Sequence, residues 1–291
     1  MPELSYQVKH KDSLYKWRQL LLQWNSEMNE LPYDDSCHIL ITPEGNKGLT
    51  ATEQRRLFYN YHQMHGELLI FFEQCLMASA YFVRDHLPPA NRNDLAHFSQ
   101  EEFYHTRCFR KYLTADTNFL YPKLKFLLRP HMWTRKLYIQ ILKLEPWAIL
   151  IPGAKSEIYF LQYFKFSLKD SDSFYGKLNQ IHSADEVHHI PFDFQLLNNM
   201  LETRSVFGQF QFWLMTTLLI FLNQFLVLSS FWKMARATLP ERSLCGKFLV
   251  YAKLCHQQVR GDTYAHTRRA LKAIYLKQDK KVFWLLRYST W

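Results

Sequence analysis

Two Glu-x-x-His pairs, Glu102/His105 and Glu186/His189, constrain this chain more than any other feature, and His182 extends the second pair backward. Residues three apart share one face of an α-helix, so a glutamate and a histidine at that spacing can close on one metal ion. A single pair carries little weight in a chain with 13 histidines. Two pairs separated by helical sequence, with further glutamates at hairpin distance, call for a helical bundle holding two metal ions between facing helices.

His182, Glu186 and His189 fall at i, i+4 and i+7, one continuous stripe of a helix. Asp185 lies off that stripe and is a candidate to orient a ligating histidine by hydrogen bonding. The turn Lys169–Ser173 sits nearly midway between Glu157 and Glu186, so an antiparallel hairpin brings these two to one level. In the first half, Glu102 and His105 share a face, and Glu101 is displaced by about 100°. Their partner on the preceding helix is Glu67 or Glu73. The loop centre near Pro89 favours Glu73, which also lies on the apolar stripe of Leu69, Ile70, Leu76 and Met77. Glu67 requires the first helix to run further past its partner, or to distort. Oxygen and imidazole donors without thiolate suit iron or manganese.

The rest of the chain fits a helical protein. Hydrophobic residues make up 48% and glycines number only 8, which favours dense helical packing over loops. Five cysteines with no C-x-x-C spacing argue against a disulfide framework or a thiolate zinc site and fit a reducing, cytoplasmic setting. No signal peptide is visible in the polar start, Met1 to Lys16. One all-α domain spans residues 1–291: a metal-binding core over about 52–200, an apolar helix over about 207–233, and basic C-terminal helices over about 240–291. Thr50 or Thr52 caps a helix running to about His86. Further helices are expected to end near Leu113, to cover Met132–Leu144, and to run from about Ala154 to Leu168 and from Phe174 to Leu201. Shorter helical pieces are expected over Ser13–Asn25 and Asn118–Leu128.

Much of the +10 net charge lies between Lys233 and Arg287. No nucleic-acid-binding signature accompanies it, so a solvated basic face is the expectation. Phe212 to Trp232 contains no charged residue. Its length suits a bilayer, yet Asn223 and Gln224 are polar, and a helix surrounded by neighbours has the same composition. A buried or interface helix is the first expectation, and membrane contact through 212–232 is the alternative.

At the metal motifs the chain resembles the para-aminobenzoate N-oxygenase family of di-iron oxygenases. The matching residues are Glu67 in GELLIFFE, Glu102 and His105 in QEEFYH, Glu157 in SEIYF, and His182, Glu186 and His189 in HSADEVHH. The resemblance covers roughly Thr52 to Met200, and the third histidine is its distinguishing part. It implies an all-α, ferritin-like helical bundle with additional helices around a dinuclear metal site. Its spacing prefers Glu67 over Glu73. It further implies one iron held by Glu67, Glu102 and His105, and the other by Glu157, His182, Glu186 and His189. The stretch HSADEVHHIPFDF is also similar to ferritin-like proteins labelled predicted metal-dependent hydrolases.

The resemblance implies a non-haem di-iron oxygenase that uses O2 and an electron donor to oxidise a small organic substrate, with N-oxygenation of an amine as its substrate-level form. Metal-dependent hydrolysis is the alternative, as is a membrane-associated di-iron oxygenase acting on a lipid or carrier-bound chain. Two iron ions are the expected cofactor, manganese the second choice, and a homodimer the expected assembly. Phe103, Tyr104, Tyr159, Phe160, Phe192 and Phe194 crowd the motif helices, and core packing is their expected role rather than an aromatic substrate pocket.

Overall fold

A computed structural model describes residues 6–22, 48–87, 89–114, 132–167 and 174–260. The described residues form eight α-helices and no strand: α1 (Tyr6–Leu22), α2 (Ala51–Val83), α3 (Pro89–Thr114), α4 (Met132–Leu144), α5 (Leu150–Ser167), α6 (Phe174–Thr203), α7 (Val206–Thr238) and α8 (Leu244–Arg260). Expectations for Asn118–Leu128, the turn Lys169–Ser173 and the tail beyond Arg260 lie outside the described residues.

Local chemistry accounts for the helix ends. Thr50 rather than Thr52 caps α2: its hydroxyl accepts from the Glu53 amide at 3.2 Å, and the Glu53 carboxylate accepts from the Thr50 amide at 2.8 Å. This reciprocal pair satisfies two amides that the first turn leaves without partners. The same carboxylate accepts from Arg242 Nη2 at 2.7 Å, tying the α7–α8 turn to the start of α2, and Arg242 holds Glu53 down at about 2. Ser205 caps α7, accepting from the Gly208 amide at 3.2 Å.

Helix α5 begins at Leu150, ahead of the expected Ala154, and takes Pro152 and Gly153 into its first turn. Proline is tolerated there because the first-turn amides have no intrahelical acceptor. Gly153 serves close approach, since a Cβ in its place would sit 2.7 Å from Leu76 Cδ2 on α2.

Two apolar clusters divide the bundle along its length. One gathers Leu76, Ala80 and Val83 of α2, Leu95 and Phe98 of α3, Ile151, Ala154 and Ile158 of α5, and Phe194 and Leu197 of α6. The other gathers Leu57 to Phe72 of α2, Cys108, Phe109 and Tyr112 of α3, Phe160 of α5, and Tyr175 and Leu178 of α6. The clusters therefore occur in one order along α2 and α6 and in the opposite order along α3 and α5, so these helices run up and down. Between the two clusters each helix crosses one polar layer. The four described cysteines are free.

Candidate metal centre

The polar layer holds Glu73 from α2, Glu101, Glu102 and His105 from α3, Glu157 from α5, and His182, Asp185, Glu186, His189 and Asp193 from α6. Each is 6% exposed or less. Ionised carboxylates at such depth are stable only when paired, hydrogen-bonded or bound to metal. Two overlapping groups form. Glu73, His105, His182 and Glu186 make one, and Glu102, His105, Glu186 and His189 make the other. Within each group, one donor atom per residue lies within 4.8 Å of all the others.

The histidines are aimed by carboxylates behind them. His105 Nε2 donates to Asp185 at 3.1 Å, which turns Nδ1 inward, 3.4 Å from Glu73 and 3.7 Å from both Glu102 and Glu186. His189 Nε2 donates to Glu101 at 3.0 Å, and its Nδ1 faces Glu102 at 3.0 Å and Glu186 at 3.5 Å. The arrangement is reciprocal: the acid before each motif glutamate orients the histidine of the other motif. A carboxylate on the outer ring nitrogen fixes tautomer and ring orientation and strengthens the inner nitrogen as a donor. His182 presents Nε2 instead, 3.1 Å from Glu73 and 2.8 Å from Glu186.

Helix α1 closes the layer from outside. Ser13 Oγ donates to Asp185 at 2.6 Å and Trp17 Nε1 at 2.7 Å. The Trp17 ring lies 4.8 Å from that of His105, and Phe98 stands edge-on to His189 at 4.7 Å. These rings keep water from the inner nitrogens.

The electrostatics follow from crowding. Burial opposes ionisation of Glu102 and Glu186, yet the histidines beside them hold both carboxyls below the usual range. Burial also disfavours protonated histidine, but Asp185, Glu102 and Glu73 push His105 well up, and Glu186 and Glu73 push His182 to about 9. Glu157 and Asp193 go the other way. Burial raises both, the Asp193 and Glu186 charges raise Glu157 further, and Glu102 adds to the rise at Asp193.

The donor set fits divalent metal. Both oxygens of Glu102, both of Glu157, Oε2 of Glu186 and Nδ1 of His105 are buried without a hydrogen bond. Such atoms are rare in folded proteins, and a bound cation is one partner that would satisfy them.

Of the residues expected from sequence, Glu102, His105, His182, Glu186 and His189 come together, and Glu157 lies beside them, near enough for Glu186 and Glu102 to raise its carboxyl. Glu67 does not join. It is half-buried and accepts from Gln63 Nε2 at 2.8 Å, and Glu73 takes the place instead. Six residues advance the helix by about 240°, so an unbroken α2 can present only one of them inward. The grouping of His182 with Glu157 and His189 is corrected as well, since His182 lies with Glu73 and His105.

Glu101 and Asp193 were not foreseen. Glu101 holds the position before Glu102 that Asp185 holds before Glu186, and Asp193 continues the stripe of His182, Glu186 and His189 by one turn. Phe160 and Phe194 are core residues, Phe103 is 51% exposed, and the Tyr159 side chain lies outside the description. Compared with protein-family models, curated proteins and solved structures, the chain finds no match.

Proposed function

We propose that the polar layer of α2, α3, α5 and α6 holds two iron ions in a ferritin-like bundle, and that the protein is an O2-dependent oxygenase. The observation that carries this reading is the pair of overlapping donor groups that share His105 and Glu186, with outer carboxylates on His105 and His189. Glu73, His105 and His182 would hold one ion. Glu102 and His189 would hold the other, with Glu157 alongside and Glu186 between. Two ferrous ions would supply electrons for the reduction of O2.

The chain's own part is to bind, orient and exclude. Four ligand helices anchored in two apolar clusters fix the donors against displacement. Asp185 and Glu101 hold the outer Nε2 protons and aim the inner nitrogens at the positions the ions would occupy. Trp17 and Phe98 shield the layer from water, which protects a reactive site from side reactions. Three imidazoles beside the carboxylates fit the resemblance to the N-oxygenase family, and oxidation of an amine is the substrate class that follows from it.

Metal analysis and oxygen uptake test the proposal together. Protein loaded anaerobically with ferrous iron should retain about two ions per chain and consume O2 on mixing. Tight binding of two ions with no O2 consumption in the presence of a reductant would favour hydrolysis. Failure to retain iron would sink the reading altogether.

A further inference from the structure

Helix α7 is inside out. Phe207, Phe210, Leu214, Leu218, Phe221 and Phe225 are between 42% and 76% exposed. At 100° per residue they fall within about 80° of arc, and with Leu228 the stripe runs about 32 Å. No charged residue occurs between Val206 and Trp232. The opposite side, buried against the bundle, carries Thr216, Asn223, Ser230 and Thr238 among its apolar residues. A helix at a protein–water boundary has the reverse pattern. A continuous apolar surface of this length marks an interaction site.

The charges on α7 and on the two helices packed against it select the partner. Helices α4 and α8 pack beside α7 and expose Leu137, Ile139, Leu144, Phe248 and Leu249. Lysine and arginine occur three times on α4, twice on α7 and three times on α8, and none of these helices contains an aspartate or glutamate. The chain has 26 acidic residues, and none of them falls within these three helices. A second copy apposed here would meet charges of its own sign. Anionic headgroups over an acyl phase match both features.

We propose that α7, flanked by α4 and α8, lies in the surface of an anionic lipid bilayer, its phenylalanine and leucine stripe at the headgroup–acyl boundary. Lysine and arginine stems lie along that boundary with their charges at the phosphates. The helix rests in the surface rather than crossing it, because its other side is buried along its length against the bundle. A cavity of about 1200 Å³, lined among others by Phe82, Leu144, Met200, Arg204, Gly208 and Gln211, reaches the first turns of the same helix. The inference rests on the surface alone and does not depend on the metal reading.

Flotation of the full chain with vesicles tests it. The protein should float with phosphatidylcholine vesicles containing phosphatidylglycerol and much less with phosphatidylcholine alone. The F210E/F221E double variant should lose binding at least about tenfold while keeping its helical circular dichroism and melting temperature. K233Q and R236Q should each weaken binding to anionic vesicles about fivefold. No flotation with anionic vesicles would overturn the proposal. So would a lipid-free dimer that F210E/F221E dissociates without changing flotation. Retention in the membrane after alkaline carbonate extraction would overturn surface docking in favour of a spanning helix.

Discussion

The layer between residues 73 and 193 and the outward side of α7 depart from the ordinary distribution of polarity in opposite directions. Seven carboxylates and three histidines sit at 6% exposure or less in the first. In the second, phenylalanine and leucine meet the surroundings, and buried threonine, asparagine and serine face the bundle. Each departure is unfavourable by itself and becomes favourable once a particular partner is supplied. Buried carboxylates need cations, since even well-placed histidines leave several oxygens without hydrogen bonds. An apolar outer stripe needs a medium other than water. The difference shows how a binding partner can be read from the sign of a mismatch between side chain and environment.

Removing a carboxylate common to both donor groups should have the largest effect on the inner region. Glu186→Ala is expected to abolish iron retention almost completely, as read by metal analysis of the reconstituted protein. Glu73→Ala should remove about one ion of the two, while Glu67→Ala should retain both. Equal loss in the two variants would reverse the assignment on α2.

The contrast between the two sides of α7 can be broken with neighbouring leucines. Leu219 is fully buried and Leu218 is 42% exposed. Leu219→Ala should destabilise the chain by about 2–5 kcal/mol in chemical denaturation, and Leu218→Ala by under about 0.5 kcal/mol. Similar values for both would mean that the outer stripe is already covered in lipid-free solution.

Metal-free protein should become less stable as pH rises above neutrality. His182 gains partners on folding and is pushed up to about 9, and His105 is also raised. Their contribution is fully present below the ordinary histidine value of 6.5 and is lost as pH climbs through the folded value. Glu157 and Asp193, raised by burial, act in the same direction, because their neutral forms suit the fold. Thermal melting of the apo chain between pH 6.5 and 9 should show a falling midpoint. Iron loading should flatten that slope, since the ions supply the positive charge the imidazoles otherwise provide.

Periodicity made much of this legible. The helices carrying the layer, their hairpin pairing and five of the residues that meet in it followed from spacing and breaker residues, because three-residue spacing and proline act locally. Local rules also favoured Glu73, the glutamate that reaches the layer, whereas the family spacing preferred Glu67. The α2 helix is continuous, so its phase, rather than distance along the chain, decides which glutamate faces inward. Other features depend on packing between distant segments. Ser13 and Trp17 reach Asp185 from α1, and no spacing rule links residues so far apart. Histidine identity alone also says little. His62 and His65 are buried on α2 about three and two turns before Glu73, where burial lowers both and leaves them neutral in an apolar core.

The smallest effect expected in the inner region concerns the acids that touch no metal. Asp185→Asn preserves volume and can still accept from Ser13 and Trp17, but it removes the charge behind His105. The amide can also rotate its NH2 towards Nε2, which would favour the tautomer with a proton on Nδ1. Iron affinity should fall about 10–100-fold while the fold is kept. Glu101→Gln should do the same through His189, but at the other ion. Titration of each variant with ferrous iron should therefore show one weakened step and one unchanged step, with the two variants affecting different steps. If both variants weaken the same step, the reciprocal arrangement does not govern binding. If neither weakens any step, the outer carboxylates serve only to balance charge. Their separate effects would distinguish orientation of a donor from the bulk electrostatics of a crowded interior, which the apo pH profile measures as a sum.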